Sequence, residues 1–274
     1  MTNTPEPASM TAADIEAAAT ALYEAEQNRV QVRPTSALYP GMTLGDAYRV
    51  QNAVLERKLA RGRRIVGRKI GLTSRAMQRA MHIDEPDFGT LLDDMVFANG
   101  DRIEAARFTD PRLEVELAFV LGEALSGEGL EIADVMRATR EVVPALELIA
   151  ARSFRVDPQT NRPRGLLDTV ADNAASAGIV LGTPFAPADV DLRWCGAILK
   201  RNGEVEETGL AAGVLDHPAN GVVWLARRFA AQGIALEAGQ VILAGSFTRP
   251  VEVVAGDEFI ADYGPLGHIA CRFD

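Results

Sequence analysis

The sequence predicts an α+β fold: a helical N-terminal region followed by a strand-rich domain built on a curved mixed or antiparallel sheet. Three observations predict it. Helix-period apolar positions dominate the first sixty or so residues and then give way to short strand-like runs. Two Asn-Gly pairs, Asn99-Gly100 and Asn202-Gly203, lie between such runs, and Asn-Gly is a strong local hairpin signal because both residues tolerate positive φ. Helical segments interrupt the strands only twice, which argues against a doubly wound parallel sheet.

Residues 1–10 are polar and small with two prolines and read as a disordered tail. Thr11 with Asp14 forms a capping-box-like pair, and Ile15, Ala18, Ala19, Leu22 and Ala25 follow at helical spacing. A break comes at Pro34 to Gly41. Thr43 with Asp46 repeats the cap, Ala47, Val50, Val54 and Leu55 continue it, and Gly62 ends it. The division expected is a helical region over 11–65 and a β-rich catalytic domain over 66–274. Strands are predicted at RRIVGRKIGL, RLEVELAFVL, VPALELIA, SAGIVLG, GQVILAG and HIACRFD, and helices near Ile132–Thr139 and Ala219–Gln232.

Composition limits the function. The chain has 274 residues, 47% hydrophobic, and a formal net charge of -10, so it can bury a sizeable core and repels nucleic acid and anionic membrane surfaces. An anionic substrate therefore needs a metal or local Lys and Arg. Cys195 and Cys271 have no metal-type spacing, which fits a reducing cytoplasm. The first residues lack a basic and an apolar region, so no signal peptide is expected, and no apolar run reaches the length of a membrane span. No Gly-x-Gly-x-x-Gly and no P-loop motif indicates a nucleotide.

The chemistry concentrates in carboxylates. In Leu113-Glu114-Val115-Glu116-Leu117-Ala118-Phe119-Val120-Leu121, one strand face is wholly apolar and the other carries Glu114 and Glu116. Residues two apart on a strand share a face at roughly 6.5–7 Å, so the two acids converge and repel unless a cation lies between them. Glu147 is the single charge in VVPALELI, where an unpaired buried carboxylate costs several kcal/mol. Three carboxylates are hard oxygen ligands that suit Mg²⁺ or Mn²⁺. A half-exposed strand with surface glutamates accounts for Glu114 and Glu116 equally well; Glu147 argues against it. Lys69, between Gly67 and Gly71, is a candidate to neutralise an anion or move a proton, or a surface lysine on an edge strand. Asp87 sits in Pro-Asp-x-Gly, ordinary turn chemistry. His82, His217 and His268 form no recognisable triad with a Ser or Cys.

Together, GRKIGLTSRAMQ, EPDFGTLLDDM, PRLEVELAFVLG, VVPALELI, DTVADNAASAG, NGEVEETG and GSFTRP…DYGPLG resemble the fumarylacetoacetate hydrolase superfamily in its hydratase/decarboxylase branch, from about residue 43 to the C-terminus. The resemblance implies a β-rich mixed-sheet roll with an N-terminal extension and a homo-oligomer built from dimers. It implies Mg²⁺ on Glu114, Glu116 and Glu147, with Lys69 and Asp87 facing it. Ser74, Ser246 and Thr248 are implied to contact substrate. The resemblance places a histidine of close relatives at Arg68, and whether a role of that histidine carries over to Arg68 stays open. The segment 157–164 followed by Asp168-Thr169 points to a seven-carbon unsaturated 2-oxo diacid from aromatic catabolism. Arg162 or Arg164 there is a candidate for its distal carboxylate, or a surface arginine. Hydration of the diacid is the expected reaction. Decarboxylation, C–C hydrolysis, and hydration of a five-carbon dienoate remain open on the same scaffold, as does a non-catalytic role with structural glutamates.

Overall fold

The computed structural model describes residues 9–75, 78, 79, 83 and 85–274. His82 and residues 1–8 of the expected tail lie outside the described residues. The chain divides into two compact units. The smaller contains the described residues up to Arg63, with Arg107–Asp110 and Ala150–Ala175; the larger contains Arg64–Ala106, Pro111–Ile149 and Ser176–Asp274. A middle segment of sequence therefore belongs with the N-terminal helices, which a single cut near residue 65 does not capture.

The smaller unit is helical: α1 (Ala12–Asn28), α2 (Thr35–Leu38), α3 (Leu44–Ala60) and, from the middle segment, a short helix at Leu166–Ala171. Both predicted capping boxes form, each with a Thr side chain accepting from the third helical N–H and an Asp reaching back. Caps of this kind contribute about 1 kcal/mol each. The helical stripes meet: Ile15, Ala19 and Leu22 of α1 pack with Ala47, Val50 and Val54 of α3 and with Val170. Met10 joins this core and Ser9 donates to Asp46 at 2.8 Å, so these two residues are ordered parts of the unit rather than tail.

The larger unit holds two sheets. Its strands are β1 (Ile65–Gly71), β2 (Asp87–Leu92), β3 (Val96–Ala98), β4 (Arg102–Ile103), β5 (Pro111–Leu121), β6 (Thr139–Ala150), β7 (Ser176–Leu181), β8 (Gly196–Arg201), β9 (Glu204–Leu210), β10 (Val241–Leu243), β11 (Val251–Glu252), β12 (Glu258–Asp262) and β13 (His268–Phe273). The first sheet runs β2-β1-β10-β5-β6-β7-β3, with β11 also on β5; the second runs β4-β13-β12-β8-β9. Parallel pairs, β1 with β10 among them, occur beside antiparallel ones, so the sheets are mixed as expected. The predicted helices appear at Ile132–Ala138 and Ala219–Ala230.

The two Asn-Gly pairs part company. Asn202 (φ 53°) and Gly203 (φ 86°) turn β8 into β9 as a hairpin. Asn99-Gly100 does not make the expected hairpin: β3 pairs with β7 in the first sheet and β4 with β13 in the second. Here the Asn99 side chain bonds to the β13 backbone, accepting from Ala270 at 2.8 Å, and the turn carries the chain between sheets. Among the described residues no helix is long and apolar enough to cross a membrane.

Candidate active site

β5 is more deeply buried than a half-exposed strand. Leu113, Val115, Leu117, Phe119 and Leu121 are buried as predicted, but so are Glu116, Ala118 and Val120 on the opposite face. That second face packs with Val143 and Ala145 of β6, Ile179 and Leu243 in an apolar cluster. Because alternate residues share a face, Glu116 continues the row of Ala118 and Val120, and Glu147 continues that of Val143 and Ala145. Both carboxylates are thus forced to the end of an apolar layer, with 1% and 0% exposure.

Register brings the lysine to the same face. Lys69 lies opposite Leu243 of β10, and Leu243 lies opposite Ala118 of β5. On its other side β1 pairs with β2, placing Gly71 opposite Asp87. Lys69 Nζ stands 3.3 Å from Glu147 Oε2, and both Lys69 and Asp87 are buried. An added Cβ at Gly71 would come 2.2 Å from Asp87 Oδ1 and 3.4 Å from Lys69 Nζ. Glycine at 71 therefore makes room for the Asp87 carboxylate beside the ammonium. Gly67 serves packing instead, since its Cβ would meet the Val241 backbone at 1.9 Å.

One oxygen from each of Glu114, Glu116 and Glu147 lies within 4.8 Å of the others, with Glu114 partly exposed. Burial raises the Glu116 pKa well above the carboxylate range, and Glu147 beside it adds repulsion. Burial also raises Glu147, against the pull of Lys69. For Lys69, burial alone would lower the pKa; Glu147, Asp87, Glu114 and Glu116 outweigh it and raise it, so the amine stays an ammonium. Four carboxylates act on this ammonium. Three carboxylate oxygens gathered around one point, two of them from buried residues, are a donor set that fits a hard divalent ion.

Other predicted residues fall in distinct places. Glu116 Oε2 accepts from the N–H of Gly245 at 2.9 Å, in the predicted Gly245-Ser246-Phe247-Thr248 turn. Gly245 has φ +121°, and a Cβ there would meet Thr73 Oγ1 at 2.1 Å, so glycine is required twice over. Ser246 Oγ donates to the Thr248 carbonyl at 2.9 Å, and Thr248 Oγ1 accepts from Val115 N at 3.2 Å, which fastens the turn to β5. Ser74 is partly exposed beyond β1, its carbonyl accepting from Gln78 N. Arg68 alternates to the other face of β1, where it bonds to Thr90 and lies 5.2 Å over the Phe229 ring; burial lowers its pKa to about 10.

Arg162 and Arg164 belong to the smaller unit. Asp157 organises their loop, accepting from Arg33 Nη2 at 2.8 Å and from Thr160 Oγ1 at 2.7 Å. Arg164 lies 3.4 Å from Asp172, whereas Arg162 is exposed.

Sequence reasoning missed Tyr263. Its hydroxyl is 2.8 Å from the carbonyls of both Glu116 and Ala145, and burial raises its pKa well above the usual phenol value. The local signal is slight: one tyrosine in a Gly-Pro turn.

Over 253 residues, 92% of this chain and 95% of the relative, it is 55% identical to 2-oxo-hept-4-ene-1,7-dioate hydratase of Escherichia coli. It is 40% identical over 266 residues, 97% of both chains, to 2-keto-4-pentenoate hydratase of Paraburkholderia xenovorans (strain LB400). Among solved structures, 4-oxalocrotonate decarboxylase from Pseudomonas putida G7, complexed with magnesium and adipate, superposes with a TM-score of 0.91 at 34% identity, covering 97% of this chain and 99% of that one. Residues 62–274 match the fumarylacetoacetate (FAA) hydrolase C-terminal family, and the chain belongs to that family.

Proposed function

We propose that this chain is a Mg²⁺-dependent hydratase that converts 2-oxo-hept-4-ene-1,7-dioate to 4-hydroxy-2-oxoheptane-1,7-dioate in aromatic catabolism. The observation that carries the reading is the cluster of three glutamates with Lys69 beside it, in a chain 55% identical to 2-oxo-hept-4-ene-1,7-dioate hydratase. Glu114, Glu116 and Glu147 would hold the metal, with Mn²⁺ as an alternative ion. Bound there, it would supply Lewis-acid stabilisation of negative charge on the 2-oxo acid.

The chain's own residues handle protons. The substrate's double bond must move from C4–C5 to C3–C4, which removes a proton from C3 and delivers one to C5. Water then adds its oxygen at C4 and a proton at C3. Asp87 and Lys69 are adjacent across Gly71, a carboxylate able to accept a proton beside an ammonium able to donate one. The apolar layer behind Glu116 and Glu147 excludes bulk water from one side. Ser74, Ser246 and Thr248 complete the proposed substrate contacts. Of the two arginines proposed for the distal carboxylate, Arg162 has the exposed side chain, while Arg164 is engaged with Asp172.

The proposal includes a cytoplasmic homo-oligomer built from dimers. Its support is two buried cysteines, whose thiols burial pushes up to about 11 and about 12, and exposed Trp194, Ile198, Val205 and Leu210 on and beside the β8–β9 hairpin. The test of function is incubation with synthetic 2-hydroxy-diene acids of seven and five carbons, followed by mass spectrometry. A gain of one water on the seven-carbon diacid supports the reading. Loss of carbon dioxide replaces it with a decarboxylase, and preference for the five-carbon acid replaces the substrate.

A further inference from the structure

Tyr263 follows β12 and is 3% exposed. Its hydroxyl lies at 2.8 Å from two carbonyl oxygens, Glu116 on β5 and Ala145 on β6, which neighbour each other in the first sheet. Glu116 carries one proposed ligand on the same residue. Ala145 is two residues from Glu147 on the same strand face, so its carbonyl moves with that ligand's backbone. The phenol therefore ties the strands bearing Glu116 and Glu147, at Glu116 itself on one and two residues from Glu147 on the other.

Its ring is held as well. Phe247 meets it edge-on, with ring centroids 6.3 Å apart and planes at 86°. Phe247 N donates to the Val115 carbonyl at 3.2 Å, and two residues earlier Gly245 donates to the Glu116 carboxylate. Glu116 is thus fixed at its carbonyl by Tyr263 and at its carboxylate by the turn against which Tyr263 packs. Two buried carboxylates that repel each other drift apart unless their backbones are pinned, and metal affinity depends on how far they must be drawn together.

We propose that Tyr263 is a positioning residue that sets the spacing of the Glu116 and Glu147 carboxylates for a divalent cation. This rests on the metal reading of the cluster. It assigns Tyr263 no contact with substrate.

The test is calorimetric titration of Mg²⁺ into metal-free wild type, Tyr263→Phe and Glu116→Gln. The expected result is binding to wild type, affinity at least fivefold weaker in Tyr263→Phe, and none in Glu116→Gln. A merely structural tyrosine would lower the unfolding temperature of Tyr263→Phe while leaving its Mg²⁺ affinity unchanged. A second measurement needs no variant at position 263. Tyr263 is the one tyrosine of the larger unit, with Tyr23, Tyr39 and Tyr48 in the smaller. In wild type labelled with 3-fluorotyrosine, its fluorine resonance, assigned by removing the other three, is expected to shift with Mg²⁺ and saturate at the calorimetric affinity. Unchanged affinity in Tyr263→Phe while Glu116→Gln abolishes binding overturns the positioning role alone, as does a Tyr263 resonance indifferent to Mg²⁺. Wild type that binds no Mg²⁺ overturns both this proposal and the metal reading.

Discussion

In the smaller unit Arg152, Arg164 and Lys58 face Asp172 and Glu26; in the larger, Glu147, Asp87, Glu114 and Glu116 all act on Lys69. The first cluster satisfies its members. Arg152 Nε is 2.5 Å from Asp172 and 3.8 Å from Glu26, Lys58 is 2.6 Å from Glu26, and the Arg152 backbone N–H also donates to Asp172. Burial raises the Glu26 pKa, but Lys58 and Arg152 outweigh it and the net shift is downward. In the second cluster four carboxylates share Lys69; burial, with Glu147 beside it, raises Glu116, and burial raises Glu147 against the pull of Lys69. Charge buried with its complement holds a fold together. Charge buried without it costs stability and persists where a ligand supplies the remainder.

The largest expected effect breaks the comparison at the three glutamates. Glu114→Ala, Glu116→Ala and Glu147→Ala should each abolish turnover, by about 1,000-fold or more, on the several kcal/mol a metal contributes to charge stabilisation. The metal-free fold should be retained, or be more stable for Glu116→Ala, because a repelling carboxylate is gone. Steady-state kinetics with thermal unfolding checks this, and normal turnover in any one variant removes that residue from the ligand set.

The same kind of change in the balanced cluster should do the reverse. Arg152→Leu leaves Asp172 buried short of its main cation and should cost about 3–5 kcal/mol in denaturant unfolding. Stability equal to wild type would mean that Arg164 suffices for Asp172.

Lys69→Ala tests whether this cation acts in chemistry or only in binding. A proton-transfer group should lower kcat by about 100-fold or more with KM little changed. A change confined to KM would make Lys69 a carboxylate anchor.

These contrasts also mark what was legible. The convergence of Glu114, Glu116 and Glu147 was readable because strand periodicity and an apolar run isolate them. The glycines beside Lys69 favoured no role over a surface lysine on an edge strand, and of the two it is Gly71 that opens space beside the ammonium. The capping threonines announced α1 and α3. Asn99-Gly100 misled because a local turn signal does not state which sheet receives the next strand. Asp87 sits beside Lys69 only through the β1–β2 register, a long-range fact. The helix at Leu166–Ala171 was missed because its six residues are too few for a period and its burial comes from packing with α1 and α3.

A smaller effect sharpens the substrate side. If Arg162 reads the distal carboxylate, Arg162→Leu should impair the seven-carbon diacid about tenfold to a hundredfold, as for a contact worth roughly 1.5–3 kcal/mol, and spare a five-carbon monoacid. Equal loss on both substrates, or none, removes Arg162 from specificity.

Acid should separate the units more gently. Arg33 and Thr160 hold Asp157 well below the usual carboxylate range. Burial would raise Asp46, but N–H and hydroxyl donors from Thr43, Ser9 and Met10 outweigh it and hold it low too. A depressed folded pKa contributes stability above the unfolded value near ~3.9, and that contribution is lost as pH falls toward the folded pKa. Tyr23, Tyr39 and Tyr48 report the smaller unit, and Trp194 and Trp224 the larger. Asp157→Asn should be less stable than wild type at neutral pH. Its tyrosine near-UV signal should also depend less on pH below about pH 4. An unchanged acid profile would show that Asp157 carries no such contribution.

The central claim is that the three glutamates form a metal centre, and the most direct measurement is anomalous diffraction from crystals grown with Mn²⁺. The account predicts a peak bounded by carboxylate oxygens of Glu114, Glu116 and Glu147, on the face that carries Lys69 and Asp87. A map with no peak among those three, in crystals that bind Mn²⁺ elsewhere or not at all, would contradict it.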